Sequence, residues 1–245
     1  MAEFEKTFNC SDGICIVVPC YNESENIPKL IEKIYHYKER GELAGFDFVF
    51  VNDGSKDDSY KMITENEKKY SWVKSVNHEK NKGFAEALNS GRNYCLNKNY
   101  LYIGQIDCDM THPLSLLPDM AEYLNEYDMV VASRYVKGGG MKNVPLWRVA
   151  LSRVAQVAFH MFFRIKTKDA TSGFRICKKE IFEQISLREK TFAIQLELTI
   201  KAEKAGFKLI EVPFVLVNRE FGSSKFNFRQ FKTYIKSIFR LMLNK

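Results

Sequence analysis

The chain has 245 residues, room for one large domain with a full core and too few for two comfortable ones. It is 45% hydrophobic and 27% charged, with a net charge of +7 and a pI near 9.0, a positive excess that suits nucleic acid, a phosphate-bearing substrate or an acidic membrane surface. The longest apolar stretch, Val154 to Phe163, falls short of the roughly 18 residues a spanning helix needs.

Met1 to Asp12 is polar, so no secretory leader is expected. The first strand is Ile14-Cys15-Ile16-Val17-Val18, a β-branched run closed by Pro19. Ser24 is placed to cap the next helix, with Pro28 tolerated in its first turn and Ile27, Leu30, Ile31 and Ile34 on its apolar face. Phe46 to Val51 is a second buried strand, stopped by Asn52-Asp53-Gly54-Ser55. A helix over 57–69, a strand over 72–76 and a helix carrying Phe84, Leu88, Gly91 and Cys95 on one face come next. Leu101 to Ile106 and Met129 to Ala132 are further strands. Apolar strands alternating with helices predict an α/β fold, a mostly parallel central sheet with helices on both faces. Ligands of such sheets sit beyond the carboxyl ends of the strands. Tyr21, Asn22, Glu23, Asp53, Asp107 and Asp109 all follow strands and should converge on one edge.

The second half is less regular. Helices are expected over 145–164 and 193–205, the latter closed by Gly206. A strand over 208–217 and a basic, aromatic helix over 226–243 follow. The apolar face around Val154, Val157, Ala158, Met161 and Phe162 reads as core, with a membrane surface as the second reading. Six cysteines, Cys10, Cys15, Cys20, Cys95, Cys108 and Cys177, form no C-x-x-C pair, so reduced thiols in a cytosolic protein are expected.

Asp107 and Asp109 stand at i and i+2 on a strand end, where side chains point the same way. Both carboxylates can reach one hard cation, Mg²⁺ or Mn²⁺, which keeps coordination positions for substrate phosphate. A lone Asp-x-Asp is common in solvated loops. Its place directly after a buried strand, beside His112-Pro113, favours a metal site. Gly54 permits a tight turn, and Asp53 offers a carboxylate to a ribose or a base. His36, His78, His112 and His160 read as core or surface residues, and no Cys–His or Ser–His–Asp constellation is apparent.

These motifs come in a telling order: Val18-Pro19-Cys20-Tyr21-Asn22-Glu23, Val51-Asn52-Asp53-Gly54-Ser55, Asn81-Lys82-Gly83, Asp107-Cys108-Asp109. The series resembles that of family 2 inverting glycosyltransferases with the GT-A fold. Ser133-Arg134-Tyr135, Trp147-Arg148 with Ser152, Asp169-Ala170-Thr171-Ser172-Gly173-Phe174-Arg175, Glu211-Val212-Pro213, and Arg219 with Gly222-Ser223-Ser224-Lys225 are similar to its dolichyl/polyprenyl-phosphate mannosyltransferase branch. The resemblance implies one GT-A catalytic domain over 1–225 and an appended basic amphipathic helix over 226–245. It implies that Pro19, Tyr21, Glu23, Asp53 and Asp107 line a nucleotide-sugar pocket, with GDP-mannose the first choice of donor and a UDP-sugar the second. Asp107 and Asp109 would hold Mg²⁺ or Mn²⁺. The family often has Gln two residues after the second Asp. Thr111 stands there, so its hydroxyl or a water is expected as the third ligand. Arg134, Arg148 and Ser152 would receive the phosphate of a polyprenyl acceptor, and Arg219 and Lys225 would close over the site.

A lipid phosphate is already anionic and needs no general base, whereas a saccharide hydroxyl acceptor would need one. Glu197 is the candidate base for that rival reading. A non-catalytic nucleotide-binding protein is a further rival. Nucleic acid is not expected as a partner, because no helix-turn-helix, RNA-binding aromatic motif or phosphate-cradling glycine loop is present. The C-terminal helix interleaves Phe231, Tyr234, Ile235 and Phe239 with Lys232, Lys236 and Arg240, which suits either an anionic leaflet, a membrane-protein subunit or packing on the domain. A peripheral position at the cytoplasmic membrane face is the resulting expectation.

Overall fold

A computed structural model describes residues 13–217 and 228–243. The strands are β1 (Ile14–Cys20), β2 (Phe46–Asp53), β3 (Val73–His78), β4 (Tyr102–Gln105), β5 (Met129–Ser133), β6 (Gly140–Lys142), β7 (Arg175–Lys178), β8 (Leu209–Pro213) and β9 (Val215–Val217). Seven form one sheet in the order β3-β2-β1-β4-β7-β5-β8, and β6 pairs with β9 beside it. All neighbours in the large sheet run parallel except β7, which is antiparallel to both β4 and β5.

The helices are α1 (Asn26–Glu39), α2 (Ser59–Lys69), α3 (Phe84–Leu96), α4 (Leu116–Glu122), α5 (Leu146–Phe163), α6 (Lys179–Gln184), α7 (Ile194–Lys204) and α8 (Phe228–Leu243). Alternate strand residues serve opposite faces. Ile14, Ile16, Val18, Phe48 and Phe50 pack with Ile27, Leu30 and Ile34 of α1, Ile63 of α2 and Leu117 of α4. Cys15, Val17, Val49 and Val51 face Ala85, Leu88 and Cys95 of α3. Each such fully buried large side chain stabilises the fold by about 1.5–3 kcal/mol. The expected mostly parallel α/β sheet, covered on both faces, is what the chain forms.

Several local expectations change. Pro19 does not end β1. The Val17 carbonyl accepts from Ile106 N–H, and two residues on the Pro19 nitrogen faces the same side, past the last β4 residue. Its missing N–H therefore breaks no ladder bond. Ser24 is no cap, since its N–H is bonded to Asp57 and α1 begins at Asn26. The strand expected over 208–217 is divided at Phe214, whose N–H bonds to the Ser133 carbonyl while its own carbonyl accepts from Gly140.

The largest correction concerns α5. Its buried side is Gln156, Phe159 and Phe163. Val154, Val157, Met161 and Phe162 are 50–68% exposed, and Trp147 and Leu151 continue the stripe. The face read as core is a solvent-facing apolar surface. α8 does pack on the domain, through Ile238, Leu241 and Met242 against the cluster of Phe159, Phe163, Leu196 and Ile200. The described cysteines, Cys15, Cys20, Cys95, Cys108 and Cys177, are free thiols, all buried.

Candidate active site

At the carboxyl ends of β1 and β2, two turns are stitched together. Asn22 N–H donates to Ser55 Oγ at 2.9 Å, Glu23 N–H to Ser59 Oγ at 2.8 Å, and Lys56 N–H to Asn22 Oδ1 at 2.8 Å. Pro19, Tyr21 and Glu23 are partly exposed on this edge.

Asp53 takes a deeper place than expected. Its side chain is 4% exposed. Oδ1 meets His78 Nδ1 at 2.7 Å and accepts from Lys82 N–H at 2.8 Å, while Oδ2 accepts from Gly83 N–H at 2.9 Å. In this structure the carboxylate shapes the 80–83 turn that feeds α3. Gly54 completes the joint. It has φ +65°, and a Cβ there would lie 2.3 Å from the Lys80 carbonyl carbon. His78 Nε2 meets Ser90 Oγ at 2.8 Å, so Ser90, His78 and Asp53 form a hydrogen-bonded chain that sequence reading did not anticipate. These residues do not wall the main cleft described next.

That cleft, about 480 Å³, is walled by Asp107, Asp109, Thr111, His112, Arg134, Ser152, Gly173, Gln195 and Phe214, among others. The strand-end geometry brings Asp107 and Asp109 to one edge. Thr111 gives Asp109 Oδ1 two hydrogen bonds, from N–H at 3.1 Å and from Oγ1 at 2.6 Å. Its hydroxyl thus orients a carboxylate on the cleft wall. His112, expected as a core or surface residue, sits at the site. Its Nδ1 accepts from Asp107 N–H at 3.0 Å, which places the ring proton on Nε2, 3.8 Å from Asp107 Oδ2. The ring stacks on Phe174 with centroids 4.8 Å apart. Among the described residues no three or more His, Cys, Asp and Glu side chains gather as a cage. Two carboxylates with a hydroxyl beside them fit a hard divalent cation that shares its shell with phosphate and water.

Arg134 follows β5 and enters the cleft. Its guanidinium is held in a fork by Asp169, Nε to Oδ2 at 2.8 Å and Nη2 to Oδ1 at 2.7 Å. Asp169 also accepts from Arg134 N–H at 3.0 Å, and its own N–H is bonded to Glu211 at 2.9 Å. The Asp169 and Glu211 motifs therefore serve one frame behind Arg134. Ser152, also on the cleft wall, has its Oγ 2.5 Å from Tyr135 OH. Arg148, one turn earlier on α5, is exposed over the Trp147 ring at 5.2 Å and does not line the cleft. Arg219 and Lys225 lie outside the described residues.

Glu197 is removed from consideration as a base. It is 2% exposed, and its carboxylate accepts from Arg188 N–H, Glu189 N–H and Lys201 Nζ at 2.7–3.1 Å. It does not wall the cleft.

A mostly parallel sheet with an Asp-x-Asp edge and an arginine-bearing cleft defines a glycosyltransferase of GT-A architecture. The chain belongs to glycosyl transferase family 2, whose family profile matches residues 15–186. It is 31% identical over 94% of its length to a dolichol-phosphate mannosyltransferase of Pyrococcus furiosus, and spans 63% of that protein. It is 29% identical to a polyprenol monophosphomannose synthase of Mycolicibacterium smegmatis, over 86% of this chain and 79% of that one. The fold matches a mannosyltransferase from Pyrobaculum calidifontis solved with GDP-Man and Mn²⁺, with TM-score 0.63, 17% identity, and coverage of 93% of this chain and 64% of that one.

Proposed function

We propose that this chain transfers a hexose, mannose first, from a nucleoside-diphosphate sugar to a polyprenyl phosphate, with inversion. The observation that carries the reading is the meeting of Asp107 and Asp109 with Arg134 and Ser152 on one cleft. The names of the relatives support the same substrates. Asp107 and Asp109 would hold Mg²⁺ or Mn²⁺, which when bound neutralises the departing diphosphate. Pro19, Tyr21 and Glu23 flank the donor on the β1 edge. His112 fixes the Asp107 main chain and Thr111 fixes the Asp109 carboxylate, so both ligands are set before substrate arrives. Arg134, steadied by Asp169, grips the acceptor phosphate, with Ser152 and Arg148 beside it. Arg219 and Lys225 are proposed to close the site.

The acceptor oxygen carries its own negative charge. The burial of Glu197 speaks against the one candidate base that the sequence offered for a saccharide hydroxyl. Peripheral membrane binding is part of the proposal. Among the described residues no helix is long and apolar enough to cross a bilayer, yet α5 presents Leu151, Val154, Met161 and Phe162 to solvent between Arg148, Arg153 and Arg164. Such a stripe suits the headgroup region of an anionic leaflet. The test is transfer from radiolabelled GDP-mannose and UDP-glucose, with Mn²⁺, to polyprenyl phosphate or to free saccharides. Label appearing only in saccharides would overturn the acceptor assignment.

A further inference from the structure

We propose that the side-chain amides of Gln105 and Gln195 form a buried site, at the base of the cleft, for one hydroxyl of the transferred hexose. The inference rests on the nucleotide-sugar reading above. Gln105 ends β4 and Gln195 lies in the first turn of α7. They are 3% and 2% exposed. Gln195 Nε2 donates to Gln105 Oε1 at 2.7 Å. Gln105 Nε2 and Gln195 Oε1 are left buried with no hydrogen-bond partner among the described residues.

A buried amide with an unspent donor, paired with one holding an unspent acceptor, is unfavourable until something satisfies both. The group that donates and accepts through one small oxygen is a hydroxyl. Its oxygen takes the Gln105 N–H, and its proton goes to the Gln195 carbonyl. Exchanging O and N of both amides leaves the same complement.

The pair borders the place where a hexose would lie. Gln195 walls the cleft beside Asp109 and Gly173. Gly173 covers Gln105, and a Cβ there would stand 3.1 Å from Gln105 Nε2 and 3.8 Å from Asp107 Oδ1. A side chain at position 173 would crowd the amide and stand beside the carboxylate edge. The frame is rigid. Arg175 is 1% exposed, and burial brings its guanidinium down to about 10, so it stays charged at neutral pH. It donates to the Ser172 carbonyl at 2.9 Å, the Gln195 carbonyl at 3.3 Å and Thr199 Oγ1 at 3.2 Å. The loop over Gln105 and the helix turn bearing Gln195 are therefore fixed to one cation, so the two amides are positioned in advance.

The experiment is titration calorimetry with Mn²⁺ and no acceptor. The probes are GDP, UDP, GDP-mannose, UDP-glucose and the monodeoxy forms of whichever nucleotide sugar binds. Wild type is expected to bind one monodeoxy sugar about 10- to 100-fold more weakly than its parent. Q105M and Q195M are expected to bind GDP or UDP as wild type does, to bind the parent sugar about 10-fold or more weakly, and to lose discrimination at that one hydroxyl. Equal binding of every monodeoxy sugar by wild type would overturn the proposal and leave the pair holding only water. Undiminished discrimination in the variants would overturn it as well. If neither GDP nor UDP binds, the nucleotide-sugar reading itself fails and the amide site falls with it.

Discussion

Replacing Asp169 with Asn should cut Arg134 loose, and the size of the effect can be worked from the contacts. The Asp169 side chain is 0% exposed and accepts three bonds from one residue, Arg134 N–H at 3.0 Å, Nε at 2.8 Å and Nη2 at 2.7 Å. Removing one member of a buried pair costs about 3–5 kcal/mol. Arg134 is 18% exposed, so water offsets part of the loss, and the lower end, about 3 kcal/mol, is the better figure. Asparagine keeps the volume but turns an NH₂ toward donors that cannot accept. At roughly 2–4 °C per kcal/mol for a chain of this size, the melting temperature should fall by about 6–12 °C. The unsteadied guanidinium should raise the acceptor KM about 10- to 100-fold, with a smaller change in donor KM. Scanning calorimetry and steady-state transfer to a short-chain polyprenyl phosphate measure both. A melting temperature within 2 °C of wild type would refute the energetic argument. A lowered melting temperature with an unchanged acceptor KM would refute the assignment of Arg134 to the acceptor phosphate.

Asp109→Asn should abolish Mn²⁺-dependent transfer, by about 10³-fold or more, and erase the extra thermal stabilisation that Mn²⁺ gives with GDP. Retained transfer would exclude the metal role. Gly54→Ala drives a Cβ into the Lys80–Asn81 backbone at φ +65°, so a loss of about 2–4 kcal/mol in urea unfolding and weaker nucleotide binding are expected. Leu151, Val154 and Met161 changed together to Ser should leave the melting temperature nearly unchanged and sharply reduce flotation with anionic liposomes. Undiminished flotation would move the membrane contact elsewhere. At Asp128, burial alone would raise the carboxyl, but Lys208 N–H and Lys178 outweigh it and hold it below the ordinary aspartate range. Its stabilising effect is thus complete above about pH 4 and fades as pH falls through the lower folded value. Asp128→Asn should lower the melting temperature at pH 7 and match wild type near pH 2.

The parallel half was legible because Ile14–Val18 and Phe46–Val51 are buried on both faces and leave little ambiguity of period. β7 was not. Arg175-Ile176-Cys177-Lys178 is four residues with charged ends, and nothing local marks it as a central strand. The carboxylates at strand ends could be located because their position follows from sheet topology. The partners of Arg134 could not, since Asp169 reaches it across 35 residues. His112 was passed over because a lone histidine carries no sign of which nitrogen accepts from which main-chain N–H. The exposed stripe of α5 shows the limit of periodicity. Apolar residues at helical spacing say that a face is hydrophobic and leave open whether protein or lipid covers it.

The reversed direction of β7 has a consequence for how the site comes into being. Gln105 stands opposite Arg175, about 70 residues away, and the antiparallel register carries the segment before β7 up to the same edge as Asp107. A parallel strand in that slot would have delivered Gly173 and Asp169 to the far edge of the sheet. Until that strand is inserted, β4 and β5 are separate borders, and the two halves of the cleft have no shared floor. The seam that completes the sheet is also the one that joins the Asp107–Asp109 edge to the Arg134 frame, so an unfinished chain has no cleft in which to react.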